Sequence, residues 1–455
     1  MKTKPRIKYV CTKCGYESLR WLGKCPECEE WNTFSEEILE TRPRKASPVT
    51  HKINVPKINE ISAKEEDRIK TGITEFDRVL GGGFMPGSVI LLGGDPGIGK
   101  STLAMQAASR VKNKILYVTG EESSKQIKLR ADRLKIKSDN FYVLAETDMN
   151  TIIASVNHTK PEVIIIDSIQ TMYRSEFENS PGTITQIRES TSLLMDEAKR
   201  NHYCVIIIGH VTKEGFIAGP KVLEHIVDAV IQFEGESNHS FRILRAQKNR
   251  FGSTNEIGIF EMHEEGLVEV KNPSKLFIGE RGEKISGSVV TASIEGTRPI
   301  LLEVQALVTP SNYGNPQRVA TGFDYRRLSI LLAVLEKRSG YRLSANNVFL
   351  NMAGGVKIYE PAVDLAVCCS IASSLLDKPA DSTIVVIGEV GLGGEIRSVG
   401  NIEKRIGESE KLGFKKIIIP ANNLKSIKTE NSGKIIPVNS LSEAISNIFT
   451  ELPPS

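Results

Sequence analysis

The stretch that decides the fold is "SVILLGGDPGIGKSTLAMQAASR", residues 88–110. It reads as an apolar strand, a glycine loop and an amphipathic helix. Within it, Gly94-Asp95-Pro96-Gly97-Ile98-Gly99-Lys100-Ser101 matches the phosphate-binding pattern G-x-x-x-x-G-K-[ST]. Glycines let backbone N–H groups converge on phosphate oxygens, and the following helix turns its positive end toward them. Lys100 is the residue expected at the β- and γ-phosphates, and Ser101 at Mg²⁺, with Thr102 completing the loop. The expected cofactors here are ATP and Mg²⁺.

The text on either side extends this unit. From about residue 65 to 272, short β-branched runs alternate with helical stretches, the pattern of a parallel sheet with crossover helices. Val163-Ile164-Ile165-Ile166 ends in Asp167, a carboxylate at a strand tip that can hold Mg²⁺ through water. "ILYVTGEESS" ends at Glu121-Glu122, and a glutamate there can orient the attacking water. Glu121 is the preferred candidate. The alternative is an acidic pair placed for the positive end of the next helix. "CVIIIGHVTKEG" leads to His210 and Thr212, either phosphate sensors or plain surface groups.

The amino-terminal segment is a different chemistry. "CTKCGYESLRWLGKCPECEEW" spaces Cys11, Cys14, Cys25 and Cys28 as two C-x2-C knuckles. Two knuckles complete a tetrahedron of thiolates, the ligand set of structural zinc. Two disulfides are the alternative, disfavoured by the lack of an apolar secretion signal. Trp21 and Trp31 are expected to cover so small a core. All four positions are filled, so the site is closed, a grip for DNA or a protein rather than a catalytic centre. Residues 1–33 are this module and 34–64, with three prolines and no regular period, read as a linker. After a break at "KNPSK", a second α/β mixture runs from about 285 to 455.

Composition bounds the rest. The chain has 455 residues, 40% hydrophobic and 25% charged, with a net charge of +4. That is a soluble, multidomain balance, and any surface for a polyanion has to be local. No apolar run reaches membrane-spanning length, so a cytoplasmic location is expected. Cys204, Cys368 and Cys369 sit in apolar runs and read as buried, inert thiols.

"TGITEFDRVLGGGFMPGSVILLGGDPGIGKST" (71–102), with "GEESSKQIKLRADRL" and "IIIDSIQT", resembles the RecA-like core of recombinases, hexameric DnaB-type helicases and clock ATPases. With the four-cysteine module and "KNRFG" (248–252), the whole chain is similar to bacterial recombination and repair ATPases of this class. The resemblance implies a DNA-dependent ATPase acting on single-stranded and branched DNA. It further implies a homo-oligomer, a hexameric ring, with a RecA-type recombinase as partner and branch migration as the task. DnaB-type helicases carry a similar "K-Q-R-N-G" whose cations reach the neighbouring subunit's γ-phosphate. By that resemblance Lys248 and Arg250 act in trans, and the alternatives are a DNA-phosphate contact or a solvated hairpin. DNA contacts are expected on loops 173–190 and 213–225, through Tyr173, Arg174, Arg188, Lys213, Phe216 and Lys221.

Residues 384–423 resemble the catalytic domain of Lon protease. Aligning Gly388-Glu389 with that family's Gly-Glu puts Glu403, not Lys404, where its catalytic lysine belongs. The serine segment falls on "EPAVDLAVCC" (360–369), which has no serine at the nucleophile position. Ser-Lys chemistry needs both groups, so an inactive Lon-like α+β domain serving as a platform for assembly is expected. Arg326, Arg327, Lys337, Arg338 and Lys357 are candidates for an added DNA surface. The rival readings are an ATP-fuelled protease and a nucleotide-switched scaffold ATPase without translocation.

Overall fold

The computed structural model describes residues 6–12, 16–39, 57–60, 68–209, 220–235, 241–278, 285–311, 315–427 and 434–449. The chain divides into two compact units, Met1–Val270 and Lys271–Ser455.

The first unit begins with a three-stranded antiparallel sheet. β1 (Arg6–Cys11) is central, between β2 (Glu17–Ser18) and β3 (Phe34–Leu39). Residues 34–39 therefore belong to the cysteine module, not to the linker. Their strand is held by six paired positions with β1, from Cys11↔Phe34 to Arg6↔Leu39, which local composition does not announce. The module's interior is Val10, Cys11 and Cys25, at 3%, 0% and 0% exposure. Trp21 and Trp31 do not cover it. They are 54% and 68% exposed, and both indoles lie outside, beside Gly23. A turn at Ile58–Glu60 is the only regular element described between residues 40 and 67.

The rest of the unit is a nine-stranded sheet in the order β12-β11-β10-β9-β4-β8-β7-β5-β6. Its parallel strands are β4 (Val89–Gly94), β5 (Ile115–Thr119), β6 (Phe141–Ala145), β7 (Val163–Asp167), β8 (Cys204–Ile208) and β9 (Ala229–Glu234). The antiparallel extension is β10 (Phe241–Asn249), β11 (Ile257–His263) and β12 (Gly266–Glu269). The helices are α1 (Thr74–Leu80), α2 (Lys100–Arg110), α3 (Ser124–Arg133), α4 (Met149–Thr159), α5 (Ile184–Asn201) and α6 (Pro220–Ile226).

β4, β5, β7 and β8 are buried on both faces and need apolar side chains throughout, which is why these runs do not alternate with polar residues. The period of two instead divides them between two cores. Ile90, Leu92, Tyr117, Ile165 and Ile206 enter one, while Val89, Leu91, Val118, Ile164 and Ile207 enter the other.

The second unit holds a seven-stranded mixed sheet, β15-β16-β14-β13-β17-β20-β21. Its strands are β13 (Ser288–Glu295), β14 (Arg298–Pro310), β15 (Arg318–Thr321), β16 (Asn346–Met352), β17 (Ile384–Val386), β20 (Lys416–Pro420) and β21 (Ile435–Val438). β18 (Glu389–Val390) and β19 (Ile396–Arg397) form a separate ribbon. The helices are α7 (Pro273–Phe277), α8 (Tyr325–Ser339), α9 (Asp364–Leu375), α10 (Ile402–Lys411) and α11 (Leu441–Ile448). The expected break at "KNPSK" is α7, with Asn272 capping Lys275 N–H and Pro273 at the first helical position, where its missing N–H costs nothing.

Two ion pairs lock this unit. Arg405, 1% exposed, binds both oxygens of Glu360 and the Ala292 carbonyl. Arg327 grips the fully buried Asp364 with two N–H groups. Burial pushes the Asp364 carboxyl up although Arg327 pulls it down. Arg327 remains about one-third exposed while it holds Asp364 (33% for its side chain).

Candidate nucleotide site

The loop after β4 has the form its glycines demand. Gly94, Gly97 and Gly99 have φ of 152°, 78° and 113°. A Cβ at Gly94 would stand 2.5 Å from the Phe233 carbonyl oxygen, and one at Gly99 would stand 2.7 Å from Met262 Cε. Substitution is opposed by backbone conformation at both, and at Gly94 also by a backbone carbonyl that cannot give way. Ile98, 6% exposed, anchors the loop in the core, while Asp95, Pro96 and Gly97 are exposed. Ser101 and Thr102 lie in the first turn of α2, half-buried.

Lys100 is 4% exposed and donates to the carbonyls of Gly94 (2.8 Å) and Asp95 (2.9 Å). Burial pushes its ammonium down to about 8, against the opposing pull of Asp167, Asp95 and Glu121. A buried cation curled onto loop carbonyls, with three carboxylates near it, fits a polyphosphate carrying a divalent ion. The residues that could hold ATP and Mg²⁺ are Gly94 to Thr102 with Asp167.

Asp167 ends β7, and β8 lies between that strand and β4. The two motifs are not on adjacent strands, since β8 inserts with Val205 beside both Val89 and Ile164. Thr119 pairs with Asp167 across β5 and β7, so the glutamates after β5 come down beside the aspartate. Glu121 accepts a hydrogen bond from Ser168 Oγ, next in chain to Asp167. Glu122 instead pairs with Arg130 of α3. Both precede Ser123, the cap of α3, whose hydroxyl and Gln126 form a reciprocal capping box.

Sequence reading missed Tyr117, Arg130 and Ser168. The one available signal was a phenol inside the apolar run "ILYVT", because a buried tyrosine hydroxyl needs a partner. His210, Thr212, Lys213 and Phe216 lie outside the described residues, as does the side chain of Lys221.

The other end of the sheet is organised by "KNRFG". Asn249 pairs with Ala229, and Ala229 pairs with Ile90 at the start of β4. The loop begins four residues farther along, about 13 Å of strand. Lys248 Nζ donates to the carbonyls of Glu224 (2.6 Å) and Val227 (2.8 Å), at the carboxyl end of α6. Burial and then the Arg250 charge push Lys248 down. Arg250 is half-exposed and pairs at 3.2 Å with Asp228, whose other oxygen accepts the Val89 N–H at 3.1 Å. The segment is seated on the end of α1. Arg68 reaches the Phe251 carbonyl at 2.6 Å, Asn249 reaches the Val79 carbonyl, and a Cβ on Gly81 would stand 3.1 Å from Gly252 Cα.

Loop 173–183 is built around Gln186, 1% exposed, whose amide donates to the carbonyls of Arg174, Phe177 and Asn179. Arg174 lies over the Phe177 ring and near Glu176, and Arg188 pairs with Glu189. Tyr173 is half-buried.

In the amino-terminal module, the sulfurs of Cys11, Cys25 and Cys28 lie within 4.8 Å of one another, Cys11 and Cys28 at 3.7 Å. Tetrahedral zinc with Zn–S of about 2.3 Å sets sulfurs about 3.8 Å apart, so the three thiols fit zinc. Cys14 lies outside the described residues.

Residues 9–36 match the family model described as rubredoxin metal binding domain, 69–143 the one for KaiC-type ATPases, and 324–423 the one for subunit ChlI of Mg-chelatase. The chain is 52% identical to the DNA repair protein RadA of Listeria monocytogenes, over 98% of each chain. It is 52% identical to that of Bacillus subtilis, over 97% of this chain and 98% of that protein. The crystal structure of the RadB recombinase aligns at 24% identity over 45% of this chain and all of that one, with a TM-score of 0.37. No described helix is long and apolar enough to cross a membrane.

Proposed function

The chain belongs to the RadA family of DNA repair proteins, and from that premise we propose that it is a ring-forming, DNA-dependent ATPase that promotes branch migration of recombination intermediates. It carries a RecA-like ATP-hydrolysing domain, a zinc ribbon and a Lon-like second unit. The finer reading rests on one observation. Lys248 and Arg250 lie at the end of the sheet opposite their own phosphate loop. Cations about 13 Å or more from their own phosphate loop are placed for a nucleotide held by another chain rather than for their own. Arg250 is half-exposed, so it can leave Asp228 for a neighbour's γ-phosphate. Hydrolysis then depends on assembly, because the charge developing on the transferring phosphoryl group is neutralised from across the interface.

Within one subunit, Lys100 binds the phosphates, Asp167 holds Mg²⁺ through water, and Glu121 orients the attacking water. Glu121 is favoured over Glu122 because it is joined through the Ser168 hydroxyl to the residue beside Asp167, whereas Glu122 turns to Arg130 of α3. Bound Mg²⁺ supplies charge neutralisation at the β- and γ-phosphates. The thiolates of Cys11, Cys14, Cys25 and Cys28 hold a structural zinc. The central loops, with Arg174, Arg188, Lys213 and Lys221, meet single-stranded or branched DNA. A RecA-type recombinase is the proposed protein partner, a hexamer the proposed assembly and the cytoplasm the location.

The test is ATP hydrolysis with and without single-stranded DNA, for the wild type and Lys100→Ala. Strong DNA stimulation that vanishes in Lys100→Ala is the expected result. A rate indifferent to DNA would turn the reading to a nucleotide-switched scaffold ATPase.

A further inference from the structure

Asp167 Oδ2 has two neighbours that the reaction described above does not use. The hydroxyl of Tyr117, a fully buried residue on β5, donates to it. Arg130 Nη1, on α3, stands 4.0 Å from the same oxygen. That Nη1 atom is buried and makes no hydrogen bond among the described residues, while the other arm, Nη2, binds Glu122. Tyr117 is itself held by the stacked ring of Phe141, centroids 5.9 Å apart, so its hydroxyl has little freedom.

A carboxylate on a strand tip can rotate about χ2 and offer either oxygen to a metal. Here one oxygen is engaged from the α3 side. We propose that Tyr117 and Arg130 are a positioning pair that fixes Asp167, so that Oδ1 alone is presented to the metal-bound water. Arg130 also ties the metal carboxylate to Glu122, which makes the turn after β5 and the tip of β7 a single charged unit. The inference rests on the ATPase reading of this site. Both side chains contact Asp167 rather than the phosphate loop. Both act through Asp167, and partners of this kind set the affinity for a metal.

The experiment is a titration of the full-length protein with N-methylanthraniloyl-ATP, once in Mg²⁺ and once in EDTA, beside a melting curve. Tyr117→Phe removes one oxygen and keeps the ring. It is expected to weaken binding in Mg²⁺ roughly 10-fold or more and to leave binding in EDTA unchanged. Arg130→Met is expected to do the same, with partial recovery in Arg130→Lys. Wild-type Mg²⁺ dependence in both Tyr117→Phe and Arg130→Met would overturn the proposal. An equal loss with and without Mg²⁺, together with a lower Tm, would overturn it in favour of a packing role. A wild type that binds no nucleotide under either condition would instead sink the ATPase reading itself.

Discussion

The two ends of the nine-stranded sheet each hold cations near carboxylates, and they hold them differently. At the loop end, Lys100 is almost wholly buried and curled onto carbonyls of its own loop. At the other end, Lys248 closes the last turn of α6, and Arg250 is half-exposed over Asp228. The first arrangement carries a desolvation cost that a polyphosphate removes. The second is already compensated inside the chain, with one cation free to turn outward. A buried lysine curled onto the carbonyls of a glycine loop is built to bind. An exposed arginine on a buried aspartate is built to reach.

The sharpest way to break this comparison is Arg250→Ala. It is expected to bind nucleotide and assemble normally while turnover falls about 1000-fold, the scale of a lost trans arginine. Single-turnover hydrolysis beside a nucleotide titration separates the two, and normal turnover would end the trans reading.

Asp228→Ala probes the same end through stability. The Val89 N–H would lose its acceptor inside the sheet, so unfolding free energy is expected to drop by about 3 kcal/mol. Urea denaturation measures it, and an unchanged midpoint would mean that the aspartate does not brace the strand.

The smallest effect concerns pH at the loop end. Lys100 releases its proton near pH 8 when folded and near 10.5 when unfolded. Between those values the unfolded chain binds more protons, so stability of the nucleotide-free protein rises with pH across that window. The gain is expected on the order of 2 kcal/mol and should vanish in Lys100→Met. A flat profile in the wild type would show that Lys100 is better solvated than its burial implies.

Much of this molecule is legible in its sequence. The phosphate loop, the Cys25–Cys28 knuckle and the strand ending in Asp167 are contiguous, and contiguous residues dictate their own backbone geometry. α7 could have been read from Asn272-Pro273, a cap and a first-turn proline. Other features had no such signal. β3 is a strand because β1 pairs with it, not because "FSEEIL" alternates. Trp21 and Trp31 looked like core because they are large and apolar, yet the thiols fill the module's interior.

The sequence alone therefore determined which chemistry is present: a phosphate cradle, a metal knuckle pair and two closely spaced cations. Only the tertiary structure decided which oxygen of Asp167 is engaged, that Glu121 meets Ser168 while Glu122 meets Arg130, and that Lys248 and Arg250 lie at the strand ends opposite their own phosphate loop. Those facts join Tyr117 to Asp167, Glu122 to Arg130 and Asn249 to Ala229. The first and last depend on strand order and register, which are set by summed packing over the whole sheet and not by any local run.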